Sequence, residues 1–144
     1  MSIQQGLTNS FKQEMLQAGQ NLATDTLKMA LYTAFSDIGP LTTVYTTTNE
    51  ITGTGYTAGG VVMTGVTIST QTSGPNESTV FVDFANVSWP GANFTARGAL
   101  IYNVTRSNKS IAVLDFGSDK TFSSVSNTVV MPENTATTAL IRFP

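Results

Sequence analysis

Asp83 and Asp115 are the residues whose types and placement come nearest to chemistry in this sequence. Each ends an apolar run and abuts a phenylalanine, Phe84 or Phe116. Two carboxylates facing each other can hydrolyse a glycosidic bond, one as the acid and the other as nucleophile or base. That work also needs a cleft lined with aromatic and polar groups, and the sequence carries no independent sign of one. The nine acids (Glu14, Asp25, Asp37, Glu50, Glu77, Asp83, Asp115, Asp119 and Glu133) are scattered, without the D-x-D-x-D spacing of a calcium loop. They read as solvated or turn-capping groups. A serine or threonine nucleophile needs a base. There is no His, and none of Lys12, Lys28, Lys109 and Lys120 stands in an S-x-x-K context. The absence of Cys and His removes thiol nucleophiles, disulfides and zinc or iron–sulfur ligation through those residues. The expectation is a protein that is not an enzyme and carries no cofactor and no metal.

Two further stretches invite a binding function. Residues 52–60 are the most glycine-dense part of the chain. A phosphate-cradling loop needs glycines at GxGxxG or GxxxxGK spacing opening a helix. Neither spacing occurs, no Lys is present and a strand-like run follows. The loop reads instead as one of close backbone contacts or positive-φ turns. The single Trp, Trp89, precedes Pro90 and Gly91. It reads as a plug at the end of a β-structure, an interface anchor, or a sugar platform with Tyr56 and Tyr102. Five Asn-X-Ser/Thr matches, at Asn76, Asn86, Asn93, Asn103 and Asn108, follow from a composition rich in Thr, Ser and Asn.

The elements that must position these residues are mostly strands. Runs 99–104 and 111–116 are apolar, β-branched and nearly continuous, and they flank a polar segment with a turn at 106–109. They predict a central β-hairpin covered on both faces. Residues 26–33 alternate and predict a half-buried strand. Shorter strands are expected at 44–48, 61–70 with a break at Gly65, 79–84, 121–131 and 137–143, with turns at 36–40, 73–78 and 117–120. Ser10 and Gln13 have capping-box spacing, so a short helix is expected over 11–18. The fold class is mainly β: one antiparallel β-sandwich domain over 1–144, of about eight strands, jelly-roll or immunoglobulin-like, with one short N-terminal helix. The 1–22 segment is expected to act as a lid or as a docking arm for a neighbouring subunit.

Composition narrows the partners. Charged residues are 11% of the 144, against roughly 25% in typical soluble domains, and the net charge is −2. The seven basic residues are dispersed, so nucleic acid is not expected as a partner. No apolar stretch approaches the ~20 residues of a membrane helix, and no signal peptide is apparent. Synthesis in a cytoplasm and no membrane contact are expected. A surface with so little charge repels its copies weakly, so assembly is expected.

Several segments in order carry a resemblance: residues 9–12, 26–33, 49–60, 95–103 and 112–120. Together they resemble small virion structural proteins of tailed bacteriophages, a family that looks like capsid cement or decoration subunits. The resemblance spans nearly the whole chain and rests most on its middle and C-terminal segments. It implies binding to the major capsid protein outside the shell, self-association as a homodimer or homotrimer, and a location on the virion after synthesis in the host bacterial cytoplasm. A tail or neck subunit is the alternative it leaves open, and a carbohydrate-binding sandwich that touches the host surface is a third. It transfers no catalytic residues. The residues expected at an interface are Phe11, Met15 and Leu16 on the helix, Tyr56, Trp89, and Arg106 and Lys109 at the hairpin tip.

Overall fold

The computed structural model describes residues 2–75 and 77–143, so Asn76 in the expected 73–78 turn and the closing Pro144 lie outside the described residues. The fold is mainly β, with antiparallel sheets and one helix. The elements are β1 (Gly6–Leu7), α1 (Asn9–Leu16), β2 (Leu27–Tyr32), β3 (Val61–Val62), β4 (Thr67–Thr70), β5 (Val80–Asp83), β6 (Val87–Ser88), β7 (Phe94–Asn103), β8 (Lys109–Phe122), β9 (Thr128–Val129) and β10 (Ile141–Phe143). They pair as three sheets, in the orders β1-β8-β7-β2-β3, β10-β5-β4 and β6-β9.

The expected central hairpin is present as β7 and β8, the two longest strands. Its tip turns through Ser107 and Asn108, both with left-handed φ (56° and 61°), and the Lys109 N–H donates to the Arg106 carbonyl at 3.2 Å. Two consecutive left-handed residues match the right-handed twist of the flanking strands. Residues 117–120 do not end the strand. Residues 116–119 form a bulge, in which only Arg97 on β7 separates the pairs Gly98–Asp115 and Ala96–Lys120. Gly117, at φ 79°, turns the chain there and lets β8 continue to Phe122.

Both faces of the five-stranded sheet are covered, as the continuous apolar runs require. One face carries Leu27, Met29, Ile101, Ala112 and Leu114, in a single buried cluster with Val82 and Ile141 of the second sheet and Phe11 of α1. The other face carries Ala30, Tyr32, Leu100, Tyr102 and Val113, beneath Ile3, Ile38 and the partly buried Tyr45. Ile38 and Tyr45 belong to a long connection, residues 33–60, that acts as a strap, and Ile3 comes from the N-terminal segment. β2 is therefore buried on both faces rather than half-buried, because Ala30 and Tyr32 lie under the strap at 0% exposure.

The N-terminal segment departs furthest from expectation. β1 pairs with β8 through Gly6–Val113 and Leu7–Ala112. The Thr8 N–H then donates to the Ile111 carbonyl at 3.0 Å, which makes Thr8 the N-cap in place of Ser10. Thr8 Oγ1 accepts from the Phe11 N–H at 3.2 Å, while Ser10 Oγ turns to Ser110 Oγ at 3.1 Å. The cap is chosen by the β1 pairing, which fixes the helix start two residues earlier than the spacing of Ser10 and Gln13 suggests. The helix ends through Ala18 at φ 55°, with the Gly19 N–H on the Glu14 carbonyl at 2.7 Å.

Elsewhere the strands are shorter than expected. Residues 44–48 contribute only the Val44–Lys109 bridge. The expected 61–70 strand splits at Gly65 (φ 64°) into β3 and β4, which join different sheets. The 121–131 segment supplies the end of β8 and β9, and 137–143 supplies only β10.

Candidate functional site

A polar network fastens α1 and the turn after it to the hairpin tip. Asn103, at 0% exposure, donates from Nδ2 to Gln20 Oε1 (3.0 Å) and to Asp25 Oδ2 (2.8 Å). Arg106 Nε donates to the same Asp25 oxygen at 2.8 Å. Gln20 Nε2 donates to Glu14 Oε1 (3.1 Å) and to the Ser110 carbonyl (3.3 Å). Glu14 in turn holds Lys109 Nζ at 2.7 Å. Isolated surface ion pairs contribute little, whereas pairs tied into a buried network are held by every member.

The Arg106 guanidinium bonded to Asp25 is the main reason that carboxyl is held down at about 2. A depressed carboxyl contributes stability that is complete above its ordinary value near 3.8 and is lost as pH falls through about 2. Arg106→Ala should return that carboxyl toward its ordinary value, so the variant should be less stable near neutral pH and should lose less stability than wild type between about pH 4 and pH 2. Urea unfolding of the two proteins at neutral and acid pH checks this, and equal losses on acidification would show that Arg106 does not hold Asp25.

This fastening brings four of the seven expected interface residues to one end of the molecule. Leu16 is 91% exposed. Met15 is half-buried and, with Arg106, lines a groove of about 360 Å³ between the end of α1 and the second sheet, where Ile68 and Phe143 also lie. Lys109 is tied to α1 through Glu14. The other three face inward. Phe11 is at 0% exposure in the core, because the helical phase that turns Leu16 outward turns Phe11 onto β8. Trp89 is 2% exposed and edge-on to Phe122 at 5.8 Å. Tyr56 is half-buried, with its hydroxyl hydrogen-bonded inside the fold. Tyr102 is also buried, so Trp89, Tyr56 and Tyr102 do not form an exposed platform for a sugar.

One cluster was not legible in the sequence. Glu50, expected to be solvated or turn-capping, is buried, and all four tyrosines of the chain gather around it or its partner Gly59. Glu50 Oε2 accepts from the Tyr45 hydroxyl at 2.6 Å, and Oε1 accepts from the Tyr56 hydroxyl and the Gly59 N–H, each at 2.7 Å. The Tyr102 hydroxyl donates to the Gly59 carbonyl at 2.6 Å and its ring stacks on Tyr45 at 4.7 Å. The Tyr32 hydroxyl donates to the Thr46 carbonyl at 2.7 Å. A side chain at Gly60 (φ 80°) would overlap the Met29 carbonyl, so the glycine-rich loop serves close backbone approach. Glu50 thus ties three parts of the strap, at 45, 56 and 59, to one point above β2 and β7. The signal available was the nearness of Glu50, Tyr56 and Gly59 in sequence with no cation among them.

Two expected results follow from this cluster. Glu50→Ala leaves three donors without their acceptor. It should cost on the order of 3–5 kcal/mol, given about 1.5–3 for each hydrogen bond to a charged group and losses that do not add. Glu50→Gln keeps one acceptor oxygen and should lose about half as much. Urea unfolding of both variants ranks them, and equal losses would show that burial rather than acceptance matters. Burial is the main cause that pushes all four phenols up, Tyr102 to about 12 and the other three further. A raised phenol contributes stability that is complete below its unfolded value near 10 and is lost as pH rises above it. Phenolate absorbance should therefore stay flat through pH 10 and rise only with unfolding; a normal tyrosine titration in folded protein would refute the cluster.

The residues considered for chemistry do not converge. Asp83 lies in the three-stranded sheet, and Asp115 lies in the five-stranded sheet with Arg97 Nε at 3.3 Å. Among the described residues there is no group of three or more acids placed to hold a metal ion. No helix among the described residues is long and apolar enough to cross a membrane. Comparison with protein-family models, curated proteins and solved structures finds no match to this chain.

Proposed function

We propose that this chain is a non-enzymatic virion structural protein of a tailed bacteriophage, a cement or decoration subunit that binds the outside of the major capsid protein lattice. It acts as a homodimer or homotrimer on the virion surface after synthesis in the cytoplasm of the bacterial host, without contact to nucleic acid or membrane. In this reading the five- and three-stranded sheets are the two layers of one sandwich, supported by the buried cluster that Met29, Ile101, Val82 and Ile141 share. The rigid body presents the end formed by Met15, Leu16, Arg106 and Lys109 to the shell.

The observation that carries the proposal is Leu16, an almost wholly exposed leucine beside Met15, which lines an apolar groove, on a helix pinned to the hairpin by the Glu14–Lys109 ion pair. A large apolar side chain held rigidly in water is a ready anchor for a partner. Modest contacts of this kind, repeated over a lattice, hold by avidity rather than by single-site affinity. The resemblance to phage virion proteins supplies the partner.

The test is co-sedimentation of purified protein with expanded capsids stripped of it. Saturable binding at many copies per shell, lost in Leu16→Asp, is the expected result. Binding of only a few copies, at the neck or tail of whole virions, would replace the cement role with the tail or neck role. No binding to any particle would overturn the virion reading.

A further inference from the structure

Sheet edges invite further strands, and most edges in this fold are short or guarded. β1, β3, β6 and β9 have two residues each. The side of β8 beyond its pairing with β1 is broken by the 116–119 bulge and carries Asp119 and Lys120. β10 carries Arg142, which is exposed. Short strands, bulges and charges are the ordinary protection of an edge. β4 has none of them. Its residues Thr67, Ile68, Ser69 and Thr70 carry no charge, no proline and no break, and they lie at the end of their sheet with β5 as sole neighbour. The ladder pairs Thr67 with Asp83, Ile68 with Val82, Ser69 with Phe81 and Thr70 with Val80, and the next N–H, of Gln71, donates to the Thr79 carbonyl at 2.9 Å. Bonded and unbonded pairs alternate along an antiparallel ladder. Thr67, Ser69 and Gln71 therefore bond to β5, while Ile68 and Thr70 turn their N–H and C=O groups outward. Among the described residues no hydrogen bond from outside the ladder reaches these four groups. The Ile68 side chain is itself 49% exposed.

We infer that β4 pairs antiparallel with β4 of a second copy, about a two-fold axis at Ser69, joining two three-stranded sheets into one of six strands. The spacing of the open groups sets the occupant. Ile68 and Thr70 stand symmetrically about Ser69, so an antiparallel copy in this register places each Ile68 opposite a Thr70. Four N–H···O=C bonds form, and none of the outward groups on either copy is left over. A foreign strand would have to bring an open, uncharged edge of its own, whereas every copy of this chain already has one. The side chains fit the same axis. Ser69 meets Ser69 in an unbonded pair, where the backbones come closest, at about 4.5 Å, and a small hydroxyl is accommodated. On the opposite face the two Ile68 side chains are diagonal neighbours within reach of each other, so each covers the exposed carbon of its mate. The chain as a whole has a net charge of only −2, so the copies repel weakly. Four hydrogen bonds and two isoleucines make a weak dimer, suited to a subunit that also binds a lattice. An isologous contact of this kind closes at two copies, which selects the dimer over the trimer. This pairing rests on the reading of the chain as an assembling subunit and names the surface that the subunit uses on itself.

The chain has no cysteine, so single-cysteine variants of the full chain read the register directly. Ser69→Cys should give a covalent dimer on mild oxidation, reversed by reductant, because the two positions face each other at a separation a disulfide can span. Thr67→Cys, on the same strand, should stay unlinked. In this register Thr67 lies opposite Gln71, so the two Thr67 are about 13 Å apart, four strand rises. Sedimentation equilibrium of the wild type should show a reversible dimer. Thr70→Pro should raise its dissociation constant by at least about tenfold, since it deletes an outward N–H on both copies and sets a ring against the partner. That N–H makes no bond to β5, so the melting temperature of Thr70→Pro should stay close to that of the wild type. A wild-type monomer, a wild-type trimer, a dimer indifferent to Thr70→Pro, or Thr67→Cys linking as readily as Ser69→Cys would overturn the proposal. So would a monomeric wild type whose binding to stripped shells is lost in Thr70→Pro, which would give the edge to a strand of the shell. A monomer that still saturates shells with or without Thr70→Pro would retire this edge and leave the cement reading standing. A dimer linked through Ser69→Cys that binds no particle would keep the edge and overturn the cement reading instead.

Discussion

Deletion of residues 1–22 is expected to abolish folding. The segment carries β1, which covers the edge of β8 at Ala112 and Val113, and it supplies Ile3, Thr8, Phe11, Gln20 and Leu22, all buried. Phe11→Ala alone should cost about 3–5 kcal/mol. A domain of this size has only about 5–15 kcal/mol in total. Removing three buried apolar side chains, an edge strand and the polar network on Asn103 together exceeds that reserve. The truncated chain would also expose an unpaired β8 edge, which invites aggregation. The outcome separates two ideas about the segment. A docking arm predicts a folded, soluble core that has lost its attachment. The observed packing predicts insoluble or unfolded protein, with attachment testable only by Leu16→Asp, a surface change that should alter stability by no more than about 0.5 kcal/mol. A truncated protein with a cooperative melting transition would return the arm idea.

Ile101→Asp is expected to give no soluble protein, and Val113→Asp a milder failure. Both side chains are essentially unexposed, at 0% and 1%. From the sequence alone the two substitutions are equivalent, since each buries an unpaired charge in the central hairpin. The structure separates them. Ile101 faces the larger cluster, between two sheets and α1, where no element can move aside without dismantling the core. Val113 faces the smaller cluster, whose cover is the 33–60 strap together with Ile3. A charge at Val113 can reach water if the strap lifts. The expected product of Val113→Asp is therefore a β-rich protein whose 33–60 segment is cut readily by protease, whereas Ile101→Asp should accumulate as aggregate. Equal behaviour of the two would mean that the strap is as integral as the second sheet. The Glu50 cluster bears on the same point, since Glu50→Ala should loosen the strap without charging the core.

How much of this was legible in the sequence depends on the range of the interaction behind each feature. The central hairpin, its tip, the break at Gly65, the mainly β class and the short helix come from local patterns: alternating or continuous apolar runs, turn residues and a cap. Steric preferences and side-chain periodicity act over a few residues, so the order of residues is enough to specify them. The coverage of both hairpin faces was also legible, because continuous apolar runs have no other stable place. What covers the second face was not. A strap with few apolar residues carries no periodicity, and it joins the core only through tertiary contacts: Ile38 and Tyr45 in the cluster of Tyr102, Val113 and Ile3, and Ile51 in the larger cluster.

The candidate site divides the same way. Sequence types singled out Phe11, Met15 and Leu16 together, since each is apolar on one short helix. Which of them face outward is decided by the phase of the helix on β8, itself set by the β1 pairing that puts the cap at Thr8. The pairing of Arg106 with Asp25, and of Lys109 with Glu14, joins residues far apart in the chain and leaves no local trace. Glu50 is the clearest case. Its surroundings in sequence are those of any polar turn, and its burial depends on the Tyr45 and Tyr56 hydroxyls and the Gly59 N–H, which the strap brings to it as Tyr32 of β2 and Tyr102 of β7 tie the same strap down. A strand's propensity is written in neighbouring residues, but a buried carboxylate is stabilised only by donors that folding brings to it, so the tertiary structure alone could decide its role.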